Sequence, residues 1–327
     1  MTDSHRWAAW LPLVAFAVIL YLLPLPYYVI GPGPAKDVIP LIHIRGHPTH
    51  PTNGHFLLTA VLLDRSNVYD ALYGWISDED SVVPEEEVLL PGETPQEERR
   101  VARSQMDTSK IDAAIVALSE YADYPKRHGR GVLVERVVPE TPAEGKLFAG
   151  DVITEIDGHR VDTPRQLSRQ IDRIGFRNRG RFTVHAAGKT RHPQITPGRV
   201  RGVEGPAIGI TAVHNFPFEV SISSGEIGGP SAGLMWTLGL IDLLTPGELA
   251  NGRTIAGTGQ ILPDGTVESV GGIEQKVAAA ERAGASVFFV PAQEAAQATS
   301  IATKTRVVPV QTYRDAVRFL GGRAGEG

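Results

Sequence analysis

The chain has 327 residues, a length that suits about two compact domains. Its composition, 42% hydrophobic and 21% charged, is that of a globular body with sizeable cores. Lys and Arg number 32 against 37 Asp and Glu, a net charge of −5 that argues against a nucleic-acid-binding domain, and the absence of Cys excludes disulfides, thiol nucleophiles, iron–sulfur clusters and thiolate zinc sites.

Residues Trp7 to Ile30 carry no charge. A membrane helix needs roughly 20 apolar residues, so Trp7–Leu23 is predicted as a transmembrane rod ended by Pro24 and Pro26. Trp7, Trp10, Tyr21, Tyr27 and Tyr28 sit near its ends, where aromatic rings favour the interface. Arg6 on the short flank places Met1–Arg6 in the cytoplasm and the remainder outside. A cleaved signal peptide is the competing reading, without a clear small-x-small cleavage site to support it.

Gly31-Pro32-Gly33-Pro34 reads as a stiff linker. Val38–Ile44 and Phe56–Leu63 read as strands rich in Val, Ile and Leu. His43, His47, His50 and His55 cluster here, but their irregular spacing, broken by Pro48 and Pro51, favours polar turns over a metal site. The acidic stretch Asp78 to Glu98 contains Pro84, Pro91 and Pro95 and reads as a solvated loop. Ser109–Tyr121 then has Ile111, Ile115 and Leu118 on one helical face.

A second module starts near Tyr124. A glycine turn, Gly129-Arg130-Gly131, precedes the strand Gly131-Val132-Leu133-Val134. Pro142-Ala143, Gly150-Asp151-Val152-Ile153 and Ile156-Asp157-Gly158 follow, then a helix over Pro164–Ile174 and a strand over Arg181–Ala186. This order resembles a bacterial PDZ domain over roughly residues 125–195. Glu144-Gly145-Lys146-Leu147 is shorter than the usual A-x-x-A-G-L. The resemblance implies peptide capture: a segment adds as a strand beside Val132–Val134, its carboxylate meeting the backbone of Gly129, Arg130, Gly131 and Val132.

The third segment opens with strands over Ile208–Val213 and Phe218–Ser223. Gly228-Gly229-Pro230-Ser231-Ala232-Gly233 follows, then Leu234, Met235, Leu238, Ile241 and Leu244 at helical spacing. A Ser at the mouth of a helix has free N–H groups and a positive dipole end beside it, the setting of a nucleophile with an oxyanion site. Gly229-Pro230-Ser231-Ala232-Gly233 matches the G-x-S-x-G elbow of α/β-hydrolases, but that fold needs a His after the Ser, and all ten His lie at or before His214. An esterase of that type therefore fails.

A Lys base is the alternative. The chain has only seven Lys, of which Lys276 and Lys304 follow Ser231. A free Lys has a pKa of ~10.4 and is only ~0.04% neutral at pH 7, so bringing it near 7 takes about 4.6 kcal/mol of burial and positive potential. Lys276 lies in the first turn of a predicted helix among Ile273, Val277 and Ala280, where both ingredients occur. Lys304 sits in a polar stretch between Thr303 and Thr305.

Residues ~205–322 resemble the proteolytic domain of the Lon family of Ser–Lys proteases. Gly229–Gly233, Gly257-Thr258-Gly259, Gly265, Gly271-Gly272-Ile273-Glu274-Gln275-Lys276, Gly284, the Val287–Val290 strand and Pro291 carry the resemblance. It implies Ser231 as nucleophile, Lys276 as general base, and Thr258 as a hydroxyl hydrogen-bonded to Lys276. It also implies an oxyanion loop formed by the backbone of Gly229, Pro230 and Ala232. The family usually has an acidic residue where Gly228 stands. No G-x-x-x-x-G-K-[ST] occurs, so neither a nucleotide nor another cofactor is expected.

Taken together, the chain resembles the membrane-anchored, PDZ-containing Lon-like proteins of bacteria (the YlbL-like group). The implied fold is α+β: a cytoplasmic stub and transmembrane anchor (1–30), an N-terminal linker and α/β region (31–124), a PDZ domain (125–196), and a Lon-type proteolytic domain (197–327). The last is a mixed α/β fold of the ribosomal S5 domain 2 type. The implied activity is ATP-independent serine endopeptidase action on protein or peptide substrates outside the cytoplasm, with a homo-oligomer allowed. The alternative is a PDZ scaffold with a silent or slow protease domain.

Overall fold

The computed structural model describes residues 10–77, 79–186 and 188–322. Two bodies emerge, and their boundaries differ from the linear order predicted. A six-stranded sheet has the order Arg306–Val310, Val287–Pro291, Thr254–Gly257, His55–Asn67, Pro24–Asp37, Ser81–Pro84. Three strands come from before the PDZ-like module and three from after it. They join where Thr254–Gly257 pairs in parallel with His55–Leu58. Residues 31–124 are therefore not a separate region. They are half of the catalytic body, and the PDZ-like module is inserted between its halves.

The cores show the same partition. One apolar cluster unites Val38, Phe56, Met106 and Leu118 from the first half with Leu234, Trp236, Ile255 and Phe289 from the second. The module has its own cluster, containing Val132, Val134, Ile153, Leu167, Ile171, Phe182 and Val184. Leu167, Ile171 and Ile174 fall at i, i+4 and i+7 of helix Pro164–Ile174, so that helix buries one stripe on the module's sheet.

The N-terminal prediction requires correction. Trp7 lies outside the described residues, and the helix spans Leu11–Leu22. Twelve residues rise about 18 Å, against the roughly 30 Å of a bilayer core. Among the described residues, no helix is long and apolar enough to cross a membrane. Pro24 instead begins a strand, so Gly31-Pro32-Gly33-Pro34 is no linker. It lies inside strand Pro24–Asp37, where Gly33 packs against the backbone of Ala60 and leaves no room for a side chain.

The acidic segment is also more ordered than a solvated loop, with Asp78 outside the described residues. Ser81–Pro84 forms an edge strand, and Thr94 starts a helix. The Thr94 hydroxyl accepts the Glu97 N–H while the Glu97 carboxylate accepts the Thr94 N–H, a reciprocal cap with Pro95 in the first helical position. The helix therefore runs from Pro95 to Tyr121, well ahead of the predicted start at Ser109.

The candidate active site

Helix Gly233–Leu244 is apolar on every face and buried almost throughout, which suits the central helix of this body. Ser231 sits two residues before it, half-buried, and Ala232 is its N-cap. The Ser231 carbonyl accepts the Gly259 N–H at 2.8 Å and the Thr258 hydroxyl at 3.1 Å. Thr258 is fully buried at the end of strand Thr254–Gly257. Its hydroxyl thus orients the nucleophile's backbone. Among the described residues it forms no hydrogen bond with Lys276.

Not every amide of the loop before this helix is free. Gly229 N–H is spent on the carbonyl of Ala102 at 2.7 Å, and Pro230 has no N–H. Ser231 and Ala232 remain, and among the described residues their N–H groups donate to no acceptor. The pair available for a developing oxyanion is therefore Ser231 and Ala232.

Helix Pro95–Tyr121, which no motif singled out, holds this loop from behind. Besides Ala102, its Ser109 hydroxyl donates to the Pro230 carbonyl at 2.9 Å. A Cβ on Gly228 would stand 2.9 Å from the Ala102 Cβ. The helix therefore leaves no room for a side chain at Gly228. Ser109 shares a helical face with Ala113 and Val116, and a polar residue on a buried stripe is the signal that sequence reading passed over.

Lys276 is 3% exposed, in helix Ile273–Arg282 among buried Ile273, Val277 and Ala280. Gly272 caps this helix in a left-handed conformation, with φ +70. A Cβ there would meet Val61 at 2.6 Å, so the tight entry needs glycine. Burial pushes the Lys276 amine down to about 8, against a smaller upward pull from Glu294. Roughly one amine in ten is then neutral at pH 7. The helix that follows Ser231 and the helix that carries Lys276 both pack on strand Thr254–Gly257. No hydrogen bond joins the two side chains.

The module's predicted groove is filled. Strand Val132–Val137 pairs with Val152–Ile156 on one side and with Ile210–His214 on the other. Gly129 N–H donates to Asn215 O and Gly131 N–H to Asp162 Oδ1, while Arg130 O accepts from Asn215 Nδ2. The amides of Gly129 and Gly131 and both edges of Val132 are thus already engaged. The free edge belongs to Ile210–His214, the last strand of the order Gln194–Ile195, Gly180–Ala186, Val152–Ile156, Val132–Val137, Ile210–His214. Helix Pro164–Ile174 packs beside it.

Residues 208–317 match the family described as Lon protease (S16) C-terminal proteolytic domain. A Lon protease of Desulfosudis oleivorans is 41% identical over 78 residues, covering 23% of this chain and 9% of that protein. Lon protease 1 of Myxococcus xanthus is 33% identical over 110 residues, covering 32% of this chain and 13% of that protein. The chain thus spans only about a tenth of the length of these relatives. The PDZ domain of an SdrC-like protein from Listeria innocua is similar to 26% of this chain, over 96% of its own length, at 29% identity and a TM-score of 0.24. The corresponding domain from Listeria monocytogenes gives 29% identity, 26% and 90% coverage, and a TM-score of 0.25. Residues 208–317, which include Ser231, Thr258 and Lys276, are thus similar to the Lon (S16) proteolytic domain.

Proposed function

We propose that the protein is an ATP-independent endopeptidase that cuts peptide bonds with a Ser231–Lys276 dyad. The observation that carries this reading is the buried Lys276, its amine pushed down to about 8, together with a Ser231 whose carbonyl is held by Thr258 and Gly259 and whose preceding residue, Pro230, is held by Ser109. Neutral Lys276 Nζ takes the Ser231 Oγ proton as Oγ attacks the carbonyl carbon. The N–H groups of Ser231 and Ala232 receive the oxyanion. The Lys276 ammonium then returns its proton to the leaving amine nitrogen, and a water molecule attacks the acyl-enzyme with Lys276 again as base.

Substrate enters as a strand. The free edge of Ile210–His214, flanked by helix Pro164–Ile174, is the surface that suits β-addition of an extended peptide. The apolar N-terminal segment tethers the protein to a membrane, with the catalytic body on the extracytoplasmic side. In support, helix Leu11–Leu22 is apolar and buries no residue, with Leu11 68% and Leu22 69% exposed.

The second reading, a peptide-binding scaffold with a silent dyad, draws on the missing Ser231–Lys276 hydrogen bond. Incubation with an unfolded protein, without ATP, separates the two. Cleavage by the wild type that is lost in Ser231→Ala and Lys276→Ala supports the peptidase. Peptide binding without cleavage supports the scaffold.

A further inference from the structure

Glu294 closes a short turn, Ala292–Glu294, after strand Val287–Pro291. Its Oε1 accepts the Val270 N–H at 3.0 Å. Val270 lies in the turn that leads through Gly272 into helix Ile273–Arg282, so the carboxylate is anchored at the mouth of the helix that carries Lys276. The other oxygen, Oε2, is buried without a hydrogen-bond partner. A buried carboxylate oxygen left unpaired is costly and calls for a compensating charge.

Lys276 supplies that charge. It is the cation whose field bears on Glu294, and Glu294 is the charged group whose field bears on Lys276. Of the other charges on the elements around Lys276, Lys36 and Asp64 form no ion pair among the described residues, and the rest are engaged elsewhere. His55 pairs with Asp37, Arg65 with Glu85, and Arg282 with Glu79, while Glu281 accepts from Thr303 and the backbone of Lys304 and Thr305. Glu274 accepts from Gln297. Lys276 and Glu294 do not form a direct ion pair, an arrangement that supports the ammonium without locking the amine in its charged form.

We propose that Glu294 is an acidic positioning residue of the dyad: held by Val270 at the mouth of the Lys276 helix, with its second oxygen buried and unpartnered, it stabilises the ammonium formed when Lys276 takes the Ser231 proton. This proposal rests on the peptidase reading above.

The test follows the rate at which a fluorophosphonate labels Ser231 in the full chain, by intact mass, from pH 6 to 10. Glu294→Gln keeps an acceptor for Val270 and removes the charge. Without the carboxylate the Lys276 ammonium is less favoured, so the rising limb moves to lower pH by about half a unit or more, and the plateau falls several-fold. Glu294→Asp keeps a charge and returns the limb toward its wild-type position. It also serves if the Gln variant does not fold. Lys276-dependent labelling with the same limb in wild type and Glu294→Gln overturns the proposal alone. So does a lowered plateau with an unmoved limb. Labelling that persists in Lys276→Ala overturns the peptidase reading itself, and this proposal with it.

Discussion

The Ser109 hydroxyl donates to the Pro230 carbonyl at 2.9 Å, fixing the residue just before the nucleophile to a helix more than a hundred positions earlier in the chain. The neighbouring Thr108 hydroxyl donates at 3.3 Å to the carbonyl of Glu135, in the first strand of the PDZ-like module. Consecutive residues of one helix thus touch the nucleophile loop and the inserted module. Ser109→Ala is expected to cost about 1 kcal/mol in stability and to lower kcat more than it raises KM, because the oxyanion amides of Ser231 and Ala232 lose their backing. Thermal unfolding and steady-state kinetics measure the two effects separately.

Gly228→Ala tests the close approach of that helix. The added methyl stands 2.9 Å from the Ala102 Cβ, and both sit on backbone that is hydrogen-bonded across the contact. Overpacking of this kind costs about 1–3 kcal/mol. A lower unfolding midpoint together with slower Ser231 labelling is the expected result. Unchanged values on both measures would show that the loop yields freely.

A buried carboxyl pair joins the two bodies. Asp112, on helix Pro95–Tyr121, is 2% exposed, with Oδ1 unpartnered, and it faces Glu135 of strand Val132–Val137, which is 5% exposed. Burial, with added repulsion from Glu135 and a smaller opposing pull from Arg136, pushes the Asp112 carboxyl up to about 7. Its folded value lies above the unfolded value near ~3.9, so the folded state holds the proton more tightly. Stability is therefore greatest below about pH 4 for this group and falls as pH rises toward 7. The loss is on the order of 4 kcal/mol. Asp112→Asn is expected to flatten the decline of denaturant stability between about pH 4 and 7. An unchanged slope would assign the decline to other groups.

How much of this was legible in the sequence depends on the range of the contacts. Ser231 and Lys276 lie in local motifs whose glycines have local reasons, such as the left-handed cap at Gly272, and the helix over Pro164–Ile174 followed from its own periodicity. The insertion was not legible, because parallel pairing of Thr254 with His55 joins residues almost 200 positions apart and leaves no local pattern. The groove was misplaced for a related reason. Val132–Val134 has the apolar run of a strand, but the sequence does not reveal that Ile210–His214 takes its outer edge. The Gly-Pro run looked like a linker because proline signals loops, and strand Pro24–Asp37 accommodates it with irregular register between Pro32 and Ala35.

Hydrogen exchange tests the corrected groove. Addition of an extended peptide is expected to protect amides of Ile210–His214 while leaving Val132–Val134, already paired on both sides, unchanged. Protection confined to Gly129–Val132 would restore the groove first read from the sequence.

The dyad is tested most directly by cleavage of an unfolded protein from pH 6 to 10, without ATP, by wild type, Ser231→Ala and Lys276→Arg. With the Lys276 amine near 8, wild-type kcat/KM is expected to rise with pH to half its plateau close to pH 8. Both variants are expected to stay at background, since an Arg does not give up its proton in this range. Cleavage by Lys276→Arg with the wild-type pH profile would show that another group takes the Ser231 proton.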